Sequence, residues 1–192
     1  TLTDIDTILV KAGFDPNQER GKDGTWGSGL GNIDDLENEI RNNKKETAII
    51  YDKDGNVLYT KEGKKNSVTI TFMEQLEIGG LEDKFLTHNH PVDTSFSPAD
   101  LNMALTNRLS GIRAVTKTEK YQLVFTDKHM NSKQIQGVLK DYKRYSRSTR
   151  IKLTQKYNAK KITAEQFSTM FDHTTMESLA KVYSDYFKYK KL

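Results

Sequence analysis

The chain has 192 residues, 35% hydrophobic and 29% charged, with a mean hydropathy of -0.74 and no cysteine. That composition excludes disulfide stapling, thiolate zinc sites, cysteine nucleophiles and the run of roughly 20 apolar residues a membrane span needs. The net charge of +4 divides unevenly: residues 1–126 hold 15 basic and 20 acidic side chains, residues 127–192 hold 15 and 6.

Residues 1–16 read as a short helix, with Ile5, Ile8, Leu9 and Ala12 at helical spacing before Gly13 and Pro16. Gly21 to Gly31 carries five glycines. No strand precedes this stretch and no Gly-Lys-Ser/Thr follows, so a mobile surface loop is expected rather than a phosphate cradle. An amphipathic helix is predicted from Asp34 to about Lys45. Thr47–Tyr51 and Val57–Thr60 read as two strands joined at Asp54-Gly55, and Val68–Phe72 as a third. A loop through Gly79-Gly80 leads to Phe85–His90, where Pro91 stops the strand. A helix from Ser97 to about Leu109 follows, then strands at Ile112–Thr116 and Tyr121–Phe125.

Beyond residue 126 the period is helical. Ile135, Val138, Leu139, Tyr142, Leu153 and Tyr157 mark one long helix. Thr163-Ala-Glu-Gln166 and Thr174-Thr-Met-Glu177 read as capping boxes that open two more. The expected architecture is an α/β (α+β) fold, a mainly antiparallel or mixed sheet flanked by helices. Three parts are drawn: residues 1–33, a helix and glycine-rich loop; 34–126, a metal-binding domain; and 127–192, a basic helical appendage.

Two of the four histidines stand two apart, His88 and His90. On a strand, residues i and i+2 share a face, so both rings project together, as one metal ion requires. Asp100 follows at a helix start, with Ser97 at the N-cap and Pro98 at the first helical position. Strand end and helix start thereby gather two imidazoles and a carboxylate, and leave the fourth position of a zinc ion for water. Each piece alone has a plainer reading, a capping aspartate and two surface histidines; together they favour a metal site. His129 and His173 are expected as surface groups.

Thr87-His-Asn-His-Pro91 followed by Ser97-Pro-Ala-Asp100 resembles the signature of the JAMM/MPN (JAB-domain) metalloproteases, in particular the bacterial RadC-like and toxin- or phage-associated branch. The resemblance covers roughly residues 34–126. It implies a JAB/MPN-like fold, zinc held by His88, His90 and Asp100, and Ser97 assisting an oxyanion. It also implies an upstream acid, matched by Glu46 at a helix-to-strand junction, with Glu62 and Glu74 as weaker substitutes. This chain places nine residues between His90 and Asp100 where the family pattern has ten, which bears on the position of Ser97.

The implied chemistry is hydrolysis of a peptide or isopeptide bond by a zinc-activated water, with Glu46 as general base. Two alternatives stand beside it: a non-catalytic nucleic-acid or assembly module on a JAB-like fold, and a toxin-type hydrolase or nuclease domain of a larger phage or secreted protein. Lys140, Lys143, Arg144, Arg147, Arg150 and Lys152, interleaved with Tyr142 and Tyr145, suit nucleic acid or another acidic partner. The lack of a signal-peptide pattern points to the cytoplasm. Secretion is expected instead if the chain, which opens at Thr1, is a piece of a toxin.

Overall fold

The computed structural model describes residues 29–192, which form five helices and six strands. In chain order these are α1 (Gly29–Ile40), β1 (Thr47–Tyr51), β2 (Val57–Glu62), α2 (Phe72–Glu77), β3 (Phe85–Asn89), α3 (Pro98–Thr106), β4 (Gly111–Val115), β5 (Lys120–Phe125), α4 (Ser132–Asn158), α5 (Ala164–Val182) and β6 (Phe187–Lys191). The strands make one mixed sheet in the order β2-β1-β3-β4-β5-β6. Only β3 and β4 run parallel, and α3 is the crossover between them. The expected α/β architecture is therefore present.

The central strands are buried on both faces. Along β1 and β3, Ala48, Ile50, Leu86 and His88 look one way, whereas Ile49, Tyr51, Thr87 and Asn89 look the other. Toward the first face pack Leu101 and Ala104 of α3, Val138 and Tyr142 of α4, and Met176 and Leu179 of α5. The second face is covered by α1. There the fully buried Glu37 accepts a hydrogen bond from Thr87 Oγ1 (2.9 Å) and faces Arg113 (3.2 Å) and Lys120 (2.9 Å). An ionic cluster buried this deeply fixes where α1 sits, because losing one partner would leave a charge without compensation.

Several elements differ from expectation. The helix drawn at 34–45 starts earlier, at Gly29, and stops at Ile40. Val68–Phe72 forms no strand: Thr71 instead caps α2 through a capping box with Glu74. The β-branched alternation there finds no neighbouring strand, apart from the single bridge Lys64–Ser67. The two helices expected from Thr163 and Thr174 are one, α5, capped only at Thr163. The helix runs unbroken through Thr174, and Glu177 of the expected box faces His173 one turn earlier (3.7 Å). The Asp54-Gly55 hairpin is present, with Gly55 at φ 84° and Asp52 accepting from the Asp54 and Asn56 amides.

The stretch drawn as an appendage supplies a strand and core side chains. β6 pairs antiparallel with β5, from Tyr121–Lys191 to Phe125–Phe187, and Phe187 is fully buried. The helix expected at 1–16 and most of the glycine-rich stretch lie outside the described residues. Among the described residues no helix is long and apolar enough to cross a membrane.

Candidate metal centre

His88 lies near the end of β3 and His90 one residue past it, where its N–H donates to the Val115 carbonyl (2.8 Å) and keeps the backbone extended. Both rings consequently share a face, as the His-x-His spacing predicts, and both are buried, at 2% and 6% exposure. Their Nε2 atoms stand 2.8 Å apart. The backbone then turns through Pro91–Phe96 to the Ser97 cap of α3, which brings Asp100 opposite the pair. Asp100 Oδ1 is 3.4 Å from His88 Nε2, and Oδ2 is 3.6 Å from His90 Nε2.

These three residues are a group that could hold a metal ion. On a tetrahedral zinc with bonds of about 2.0–2.1 Å, ligand atoms sit roughly 3.3 Å apart. The Nε2–Nε2 separation and the distances to the two Asp100 oxygens lie on either side of that value, close enough for small side-chain shifts to bring one oxygen and both nitrogens onto an ion. The donor chemistry fits as well. His90 Nδ1 is 2.9 Å from the Thr94 carbonyl, which fixes the proton on Nδ1 and turns the Nε2 lone pair inward. Two imidazole nitrogens at 2.8 Å need a proton between them, and a divalent cation removes that need.

The charges follow the geometry. Burial disfavours a charged His88, but the Asp100 carboxylate and then Glu46 outweigh it, so its pKa ends above the ordinary imidazole value. Burial and the charge of His88 push His90 down to about 4, with only partial relief from Asp100. For Asp100, burial is overcome by His88, His90 and the Ser97 amide, and the carboxyl is held far below the usual range.

Glu46 immediately precedes β1, as expected. Its carboxylate is half-buried and is acted on by the charges of His88 and Asp100, with a smaller influence from the Val68 amide. Burial dominates, and Asp100 adds to it, so the pKa is raised; such a shift suits a base working near neutral pH. Gly63 makes room for that amide. A Cβ at residue 63 would strike the Ser67 carbonyl oxygen and come within 2.7 Å of Val68 Cα. The other two acids are engaged elsewhere: Glu62 pairs with Lys45, and Glu74 binds Lys61, Tyr59 and its own cap. Ser97 Oγ accepts from the Asp100 amide (3.3 Å), while its N–H donates to Asp100 Oδ2 (2.7 Å). A hydroxyl that accepts in a cap retains its own hydrogen to donate.

Four residues support the site although the sequence reading does not place them there. Asn89, between the two histidines and fully buried, accepts from the Thr47 amide (2.6 Å) and donates to the carbonyls of Asn43 (3.1 Å) and Lys45 (3.2 Å). It therefore fastens the segment that delivers Glu46. The loop between His90 and Asp100 is fastened from the C-terminal side. Tyr142 of α4 donates to the Phe96 carbonyl (3.1 Å), and the Tyr189 hydroxyl of β6 meets Ser95 Oγ at 2.7 Å. His173, expected at the surface, is half-buried with Nδ1 2.7 Å from that same hydroxyl. His129 is exposed as expected. The place of Asn89 in the motif was a usable signal; the tyrosines carried none.

A pH dependence follows. Metal and proton compete for the imidazoles, and the competing proton sits on His88, whose pKa is raised. Zinc affinity should be greatest above that pKa. Below it, affinity should fall by up to about tenfold per pH unit, starting at or above about pH 6.5, with a steeper decline only near pH 4 where His90 joins. A zinc titration by calorimetry between pH 5.5 and 8 checks this; affinity that is flat across the range would remove His88 from the ligand set.

Compared with family models, with curated proteins and with solved structures, the chain gives no match.

Proposed function

We propose that the protein is a zinc-dependent hydrolase of the JAMM type, on a JAB-like fold, that cleaves a peptide or isopeptide bond. The carrying observation is the convergence of His88, His90 and Asp100 at one buried point, with the Glu46 carboxylate within their electrostatic reach. His88, His90 and Asp100 would hold the zinc. When bound, zinc supplies Lewis acidity and brings the pKa of a coordinated water toward about 7. Glu46, kept basic by burial, takes the proton of the attacking water and returns it to the leaving amine. The free hydrogen of Ser97 Oγ supports negative charge on the carbonyl oxygen.

The Glu46 carboxylate is the group to test. Glu46→Gln keeps the shape and removes the basicity, so zinc should stay bound while hydrolysis of a peptide and isopeptide panel falls by a factor on the order of 10²–10⁴. Metal analysis of protein purified without a His-tag runs alongside. Protein with neither zinc nor affinity for added zinc would overturn the reading. Bound zinc without hydrolysis would favour the assembly-module alternative.

A further inference from the structure

We propose that the outward face of α4 binds the phosphate backbone of duplex DNA. This surface lies outside the metal centre, and the inference does not rest on hydrolysis.

The helix has 27 residues with eight basic side chains and a single acidic one, Asp141. One side is committed to the body, through Ile135, Val138, Tyr142, Thr149 and Leu153. At 100° per residue, Lys133, Lys140, Arg144 and Arg147 fall on the opposite side and Lys143 and Arg150 along its flank, and all six are exposed. From Lys133 to Arg150 the stripe runs about 25 Å. Lys140 with Arg144 and Lys143 with Arg147 are like charges at i,i+4; Arg144 with Arg147 and Arg147 with Arg150 repeat them at i,i+3. Each such pair works against the helix. Among the described residues only Arg144 of the six has an acidic partner, Asp141 at 3.2 Å. The repulsion is thus left for an outside anion to relieve.

The character of the stripe selects the anion. Protein interfaces are centred on apolar anchors and are poor in lysine; here Ile151 is the one large apolar residue among the cations. Single-stranded nucleic acid is held by stacking on open aromatic faces. Within the stripe, from Lys133 to Arg150, neither tyrosine offers one, and Tyr157 beyond its end packs edge-on against Phe167 at 6.5 Å. Tyr142 is buried in the core, and the Arg144 guanidinium lies over the Tyr145 ring at 4.9 Å. Arg150 is likewise settled over Phe171, at 5.0 Å, which limits the freedom it would lose on binding. What remains is a row of cations without a base-reading element, suited to the regular charge of a duplex backbone.

The test is fluorescence anisotropy of the full chain with a labelled 30-base-pair duplex of arbitrary sequence, from 50 to 200 mM salt. Log affinity should fall linearly with log salt, with a slope approaching about −5 if all six cations meet phosphates, at −0.9 each. Lys143→Ala/Arg144→Ala/Arg147→Ala should make the slope shallower by about 2.7. Lys44→Ala/Lys53→Ala/Lys65→Ala removes equal charge from exposed positions elsewhere and should leave it unchanged. If the first triple variant loses its cooperative melt, Arg147→Gln carries the same test, with a slope shallower by about 0.9. No affinity at 50 mM salt, or equal effects of the two triples, would overturn the proposal. So would tighter binding to poly-glutamate, which would assign the face to an acidic protein, or tighter binding to a single strand.

Discussion

His88→Ala is expected to abolish stoichiometric zinc binding, whereas His129→Ala should leave it intact. The first removes one of the three converging side chains proposed as ligands, at a position 2% exposed; the second touches an exposed ring outside the group. A second readout avoids metal counting. Zinc that binds only the folded chain stabilises it by about 2.7 kcal/mol at a free concentration of 100 times Kd. That zinc-dependent rise in melting temperature should be present in the wild type and in His129→Ala, and lost in His88→Ala. A zinc-induced rise that survives in His88→Ala would place the metal elsewhere.

Deleting residues 187–192 should cost both the fold's cooperativity and the zinc. The basic composition of this stretch suggests a dispensable tail, but Phe187 is fully buried and Tyr189 reaches the ligand loop. Phe187→Ala alone should lower stability by about 3–5 kcal/mol, the usual loss for a large aromatic truncated in a core. Tyr189→Phe is the finer probe. It keeps the ring and removes the hydroxyl that holds Ser95, so zinc affinity should drop about 10- to 100-fold while the melt stays cooperative. Tyr183→Phe, whose hydroxyl bonds Asp141 on α4 instead, is the matched control and should bind zinc normally. A deletion that retains full zinc affinity would show that β6 is ornamental.

The elements around the site were legible because their signals are local. His88-Asn-His90-Pro91 fixes a strand end, and Ser97-Pro-Ala-Asp100 fixes a helix start through the side chain of its own cap. β1 and, apart from Arg113, β4 show the apolar runs of strands covered on both faces, while β5 alternates, with Tyr121 and Leu123 buried. Where reading failed, a distant partner decided. Val68–Phe72 has the alternation of a strand without a neighbour to pair with, and the capping box at Thr71 takes over. In β6, Phe187 and Tyr189 alternate with Lys188 and Lys190 at period two, but the segment was drawn within the basic helical appendage. Only β5 alongside it, and Ser95 beneath Tyr189, give that alternation its meaning. Glu46 lay between these cases: its junction was visible, while the Val68 amide and the Gly63 gap beside it were not.

The bond between Ser95 and Tyr189 joins residues 94 apart in sequence. Contacts with such long sequence separation close large loops, and the entropy of closure must be lost before the contact returns anything. α3, with its own cap, and the β1–β2 hairpin can form early from neighbouring residues. The loop carrying His90 to Asp100 should settle only once the last strand has docked on β5. During refolding, competence to take up zinc should accordingly arise with the slowest phase, after most helix and sheet signal has returned. The candidate metal centre lies mid-chain in sequence, yet it should be the part of the fold completed last.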